Sequence, residues 1–302
     1  MTINFVKIRK YSYIFSGIII VAAVVGIISF GLKPGMDFLG GSLLELDISA
    51  NKITSEQVNE VLRGFDVNDA VITPVGEAGL LIRAKEISEE KHQQIVTKIK
   101  ESFSGIEETR FESLGPAIGQ ELKNKAISGL IFVILGIALY LTWAFRKVSK
   151  PMSSWKYGIV TILALLHDVT IPTGLFAYLG HFLGWEIDST FITALLVILG
   201  FSVHDTIVVL DRIRERLRSH ANLAFPEIIN QSINETMIRS INTSLTLVLV
   251  LTALLVFGPI SLHIFVLTLL IGTIFGTYSS IFIASPLLLD WYNWMERRKL
   301  KK

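Results

Sequence analysis

Six apolar runs of roughly twenty residues each constrain this chain more than any other feature. In a bilayer, every backbone N–H and C=O of such a run must be paired within the protein, so each run reads as a membrane-spanning helix. The runs cover residues 12–31, 126–145, 157–180, 188–210, 240–257 and 262–289. A mean hydropathy of +0.56 fits that reading, because a soluble core does not need so many long apolar runs. Lys7, Arg9 and Lys10 precede the first run as they would in a signal peptide. Residues 11–32, however, carry no charge, and no small-residue cleavage pattern follows, so this run reads as an uncleaved first span. The chain has no cysteine, which excludes disulfides, thiol chemistry and cysteine-ligated zinc.

Lysine and arginine in the short loops predict the orientation. The N-terminus, the 146–156 loop, the 211–239 loop and the ERRKLKK tail are rich in them, whereas 181–187 and 258–261 have none. Six spans with both ends in the cytoplasm satisfy all of these segments, and 33–125 then lies on the trans side, periplasmic in a bacterium. The expected organisation is a cytoplasmic N-terminus and first span (1–32), a trans domain (33–125), five further spans (126–290) and a basic cytoplasmic tail (291–302). Topology accounts for the basic residues, so nucleic-acid binding is not indicated.

The trans domain has its own pattern. Residues 42–48 alternate as a half-buried strand does. Residues 55–65 form an amphipathic helix, with Thr54 and Gln57 spaced as a capping box. Residues 70–75 and 79–84 read as a hairpin, 88–103 as a second helix and 108–114 as a last strand. The order β-α-β-β-α-β predicts a ferredoxin-like α+β domain. The fold class is therefore an α-helical membrane protein with six spans and a ferredoxin-like domain between the first two.

Polar residues inside the spans are the functional candidates, because a carboxylate at the centre of a spanning helix costs about 2.5–3.5 kcal/mol on insertion scales. Two His-Asp pairs qualify: His167-Asp168 in the third span and His204-Asp205 in the fourth. Asp205 shares a helix face with Arg212, seven residues on, and lies too deep for its short side chain to reach the interface. Arg239, at the cytoplasmic start of the fifth span, is placed to reach Asp205. A nearby cation favours a carboxylate's charged form and desolvation opposes it, so such a site can take up and release an ion. The alternative is that Arg239 snorkels to lipid phosphate and Asp205 only joins helices. A metal-dependent hydrolytic centre built from the two pairs is a rival class. No H-E-x-x-H helix supports it, and neighbouring His and Asp residues are expected on different helix faces.

Four stretches in this order resemble the SecF family of protein-export membrane subunits: DFLGG (37–41), SLGPAIGQEL (113–122), LLHDVTIPTGLFAY (165–178), and GFSVHDTIVVLDRIRERLR (200–218) with INETMIRSINTSLT (233–246). Asp37, Gly40, Gly41, Gly115, Pro116 and Gly119 carry the first two motifs as structural positions. The resemblance implies half of a resistance-nodulation-division transporter, paired with SecD. It also implies association with the SecYEG channel, with YajC as a further associate, in a bacterial inner membrane. Function would then be late translocation of unfolded exported polypeptide, driven by proton or sodium motive force, with no cofactor and no enzymatic reaction. The same resemblance assigns Asp205 and Arg239 to the ion pathway, in which Asp168, His167 and His204 are further candidates. Phe201 and His204 depart from the family's tyrosine and asparagine, and His204 adds a second titratable group beside the acid. A subunit that only stabilises the translocon is the runner-up.

Overall fold

The computed structural model describes residues 3–49, 53–75, 78–146, 151–219 and 223–300. Part of the basic loop (147–150), the tip of the predicted hairpin (76–77) and the last two lysines of the tail lie outside them. The chain divides into two compact units, one made of 1–33 with 127–302 and the other of 34–126.

The helical unit contains α1 (Phe5–Phe30), most of α5 (Pro116–Ala144), α6 (Ser154–Leu183), α7 (Ser189–Ser219), α8 (Phe225–Phe257), α9 (His263–Ser279) and α10 (Ser285–Lys299). A π-turn, Ser280–Ala284, joins α9 to α10 in one continuous rod, so among the described residues six helical rods are long and apolar enough to cross a membrane. α6 and α7 have the most buried apolar windows, while those of α1, α5 and α8 are largely exposed.

Small residues let the helices approach closely. A Cβ on Gly174 would lie 2.4 Å from Ala23 Cα, which fixes α6 against α1. A Cβ on Gly272 would lie 2.2 Å from Ile198, and one on Gly276 would lie 3.1 Å from Ser202 Cβ, so α9 lies directly on α7. Pro172 sits inside α6 and supplies no N–H to the carbonyl of Asp168, four residues earlier.

Several helices are longer than the apolar runs. α5 begins at Pro116, ten residues before the predicted span, with proline at the first helical position, where its missing N–H costs nothing. The predicted 211–238 loop is mostly helix: α7 continues to Ser219 and α8 starts at Phe225. Arg212 and Arg216 of α7 both pair with Glu235 of α8, so the charged ends of the two helices hold each other.

The second unit follows the predicted element order. After a short helix, α2 (Met36–Leu39), come β1 (Gly41–Asp47), α3 (Ser55–Arg63), β2 (Val71–Val75), β3 (Gly79–Ala84), α4 (Glu89–Ser102) and β4 (Glu107–Leu114). The sheet order is β2-β3-β1-β4 with every neighbouring pair antiparallel. Leu44, Leu46, Leu80 and Ile82 of the sheet and Val58, Leu62, Ile95 and Ile99 of α3 and α4 form its core. The Thr54–Gln57 capping box is made in both directions.

The first two motifs meet in this unit. Gly40 has φ +76° and Gly41 has φ +133°, both in the region that side-chain-bearing residues rarely adopt. A Cβ on Gly40 would lie 2.7 Å from the Cα and N of Pro116, and one on Gly119 would lie 3.0 Å from the Gly40 nitrogen. Gly41 pairs with Leu114 in the sheet, and Ser42 Oγ lies 2.8 Å from Ser113 Oγ. DFLGG and SLGPAIGQEL are therefore two halves of one backbone crossing. Gly115, by contrast, faces only the Glu86 carboxylate at ordinary contact distance.

Candidate functional site

Asp168 is fully buried in α6, and its two oxygens are engaged from three sides. Oδ1 lies 2.9 Å from His167 Nδ1. Oδ2 accepts from Ser202 Oγ of α7 and, at 2.8 Å, from Ser279 Oγ at the end of α9. His167 is buried as well, and its Nε2 lies 3.1 Å from Ser16 Oγ of α1. A carboxylate only accepts, so with Asp168 ionised a neutral imidazole would carry its proton on Nδ1 and accept from Ser16 at Nε2. The expectation that neighbouring His and Asp point to different faces is thus corrected for the first pair. These two side chains bond directly, with the His167 ring lying between Asp168 and Ser16 of α1.

The second pair does diverge. Asp205 is buried and accepts from Ser280 Oγ, the first residue of the π-turn, while His204 is exposed on the surface of the unit. Adjacent serines of one rod therefore hold the two buried carboxylates, Ser279 on Asp168 and Ser280 on Asp205. An ionised carboxylate has about four acceptor positions. Among the described residues Asp168 uses three through His167, Ser202 and Ser279, whereas Asp205 uses one, so Asp205 keeps more acceptor capacity than Asp168.

Arg239 is exposed on α8 and, among the described residues, no hydrogen bond or ion pair joins it to Asp205. It lines an open cleft of about 480 Å³ between α7 and α8 with Asp211, Arg212, Glu215, Glu235 and Thr236. Arg212 turns to Glu215 and Glu235, not to Asp205. Thr206, next to Asp205, and Ser240, next to Arg239, have buried hydroxyls without a hydrogen-bond partner among the described residues. Among those residues no group of three or more His, Asp and Glu side chains is placed to hold a metal ion.

The sequence reading missed the serines. Ser202, Ser279 and Ser280 look like the small residues that many spans contain, but Ser-Ser followed by Pro286 in an apolar run was a usable signal. Proline cannot serve the carbonyl of Phe282 and crowds it, so the turn before it must widen. The π-turn is that widening, and π-turns recur at functional sites.

Comparison with known proteins agrees with this architecture. The family model described as protein export membrane protein SecD/SecF, C-terminal, matches residues 94–294. The protein translocase subunit SecF of Thermobaculum terrenum is 41% identical over 96% of this chain and 94% of its own length. The protein translocase subunit SecDF of Bacillus subtilis is 32% identical over 99% of this chain but only 39% of its own length. The crystal structure of SecDF, a translocon-associated membrane protein from Thermus thermophilus, superposes with a TM-score of 0.81 at 32% identity. It is matched over 97% of this chain and 39% of that one, so the chain spans about two fifths of the SecDF proteins it resembles. With a family model covering most of the chain and SecF relatives matched end to end, the chain belongs to the SecD/SecF family of protein-export membrane proteins.

Proposed function

We propose that this chain is the SecF-type half of an ion-driven machine that assists the late export of unfolded polypeptide. Its helical unit would pair with a SecD-type half, as the longer SecDF relatives suggest by carrying the matched region within one larger chain. The pair would serve a SecYEG-type channel, with YajC as a further associate, in a bacterial inner membrane. Both termini would be cytoplasmic, as the lysine and arginine distribution favours. The unit at 34–126 would be a periplasmic ferredoxin-like domain, a reading supported by its β-α-β-β-α-β order and its β2-β3-β1-β4 sheet.

One observation carries the coupling role: two buried carboxylates on neighbouring helices are held by adjacent serines of a third rod. In this reading Asp168, with three donors, is the anchor, and His167 orients it. Asp205, with one donor, takes up and releases the coupling ion, which is a proton, with sodium as the alternative. Arg239 and the cleft it lines would form the approach to Asp205 from the cytoplasmic side, and His204 would face the partner half. Ion uptake changes the charge on Asp205 and so biases two arrangements of the helices around it, as coupling requires.

The test is export of a secreted reporter in cells depleted of their own subunit and supplied with wild type or Asp205→Asn. Co-purification with the SecD-type partner is checked in the same cells. The proposal expects a variant that assembles normally yet restores no gradient-dependent export. Full rescue by Asp205→Asn removes the ion role and leaves a subunit that only stabilises the translocon.

A further inference from the structure

We infer that the Ser279–Ser280 step is a positioning switch that reports the ion load of Asp205 to the last helical rod. The inference rests on the coupling role proposed above. Each of these hydroxyls has one hydrogen and two acceptors within reach. Ser280 Oγ contacts the Asp205 carboxylate and lies 2.9 Å from the carbonyl of Thr277 in its own helix. Ser279 Oγ lies 2.8 Å from Asp168 Oδ2 and 3.0 Å from the carbonyl of Gly276.

Which acceptor wins depends on charge. A hydrogen bond to an ionised acceptor is roughly twice as strong as one to a neutral carbonyl, so an empty, charged Asp205 holds the Ser280 hydroxyl. Once Asp205 carries a cation, that advantage is gone and the hydroxyl turns to Thr277. Donation to a carbonyl three residues back competes with the backbone ladder and bends helices. Here the ladder is already loose, because the π-turn begins at Ser280 and Ser285 Oγ lies 3.3 Å from the Ser280 carbonyl, five residues back. A turn with a surplus residue and a spare side-chain donor has two hydrogen-bond patterns available, which is what a two-state element needs. Meanwhile Ser279 stays on Asp168, which His167 and Ser202 also hold, and acts as the fixed pivot.

The position of the rod supports this division. Gly276 and Gly272 seat α9 on α7 at Ser202 and Ile198, so the segment before the switch cannot drift from the carboxylates. Beyond the π-turn, α10 has its own anchor on α1. Asp290 accepts from Arg9 Nε at 3.1 Å and from Tyr13 Oη at 2.9 Å, both on α1. A change of hydrogen-bond pattern at 280–284 therefore moves two anchored segments relative to each other rather than a free end.

The experiment uses the full chain with its SecD-type partner in the export assay, with and without the ion gradient. Ser280→Ala is expected to assemble normally and to lose at least ten-fold of the gradient-dependent export while keeping the gradient-independent part. Ser280→Thr, which retains a hydroxyl at the same position, is expected to restore it to within about two-fold. Deletion of one residue within 281–283, which converts the π-turn to regular helix, is expected to reproduce the alanine phenotype. Wild-type behaviour of Ser280→Ala overturns the inference. So does its failure to assemble, since that makes Ser280 a packing residue, and so does a threonine variant no better than alanine. If Asp205→Asn rescues fully, the coupling role itself has failed. If Asp205→Asn is inactive while Ser280→Ala is normal, only the switch has failed.

Discussion

Gly40→Ala gives the sharpest test of how the 34–126 unit is built. The residue has φ +76°, and its Cβ would lie 2.7 Å from both the Cα and the nitrogen of Pro116. With ψ 170° this is an essentially glycine-only conformation, which costs an L-residue about 1–3 kcal/mol. Overpacking against a neighbour that cannot rotate away adds about 1–3 kcal/mol. Since the contact atoms belong to the backbone at the start of a long helix, relaxation is limited, and the expected loss is about 2–6 kcal/mol. The assay is native-state hydrogen exchange of the β1 and β4 amides in the full chain in detergent, because Gly41 pairs with Leu114 beside the clash. A loss of about 2 kcal/mol raises exchange through global opening of the unit roughly 30-fold. Gly129→Ala is the control: nothing lies within 4 Å of its Cβ position in α5, and alanine favours a helix over glycine by about 1 kcal/mol. Exchange in Gly40→Ala within two-fold of wild type would refute the crossing of the two motifs as the reason for that glycine.

Three further outcomes follow from the geometry. Thr54→Ala removes the capping box at the start of α3 and should cost about 1 kcal/mol, read by faster exchange of the first-turn amides; an unchanged rate contradicts it. Gln93 and then His92 hold the Glu89 carboxyl below the usual carboxylate range through hydrogen bonds. Its contribution is therefore present above the ordinary carboxylate value and fades as pH falls through the depressed one. Gln93→Ala should move the Glu89 titration upward in a carboxyl NMR experiment, and an unmoved titration is the contrary result. Gly272→Leu drives a side chain into Ile198 and should lower the thermal midpoint of the helical unit, whereas Gly17→Ala, with open space around it, should not.

The spans and the order of the smaller unit were legible because each rests on local periodicity. Apolar length marks a helix in a bilayer, and alternation marked β1, observed over Gly41–Asp47 against the predicted 42–48. The charged stretch 211–238 was misread as loop, since ion pairs between α7 and α8 are long-range and leave no apolar signature. For the site, the cost of buried charge singled out Asp168 and Asp205 but could not name their partners. Arg239 was expected beside Asp205 from depth alone, whereas the observed donor, Ser280, lies on a helix 75 residues away in sequence. His167 and His204 look alike in sequence, yet one is buried on Asp168 and Ser16 and the other is exposed. Only the packing of α6 against α1 separates them.

Ion movement itself is the most direct measurement of the central claim. Sealed vesicles carrying the chain with its SecD-type partner and channel are loaded with an internal pH indicator and given a translocating polypeptide. The account predicts that wild type dissipates an imposed proton gradient faster during translocation, and that Asp205→Asn is indistinguishable from vesicles lacking the pair. A sodium-dependent flux abolished by the same substitution would keep Asp205 and change the ion. Gradient dissipation by Asp205→Asn at the wild-type rate would contradict the account.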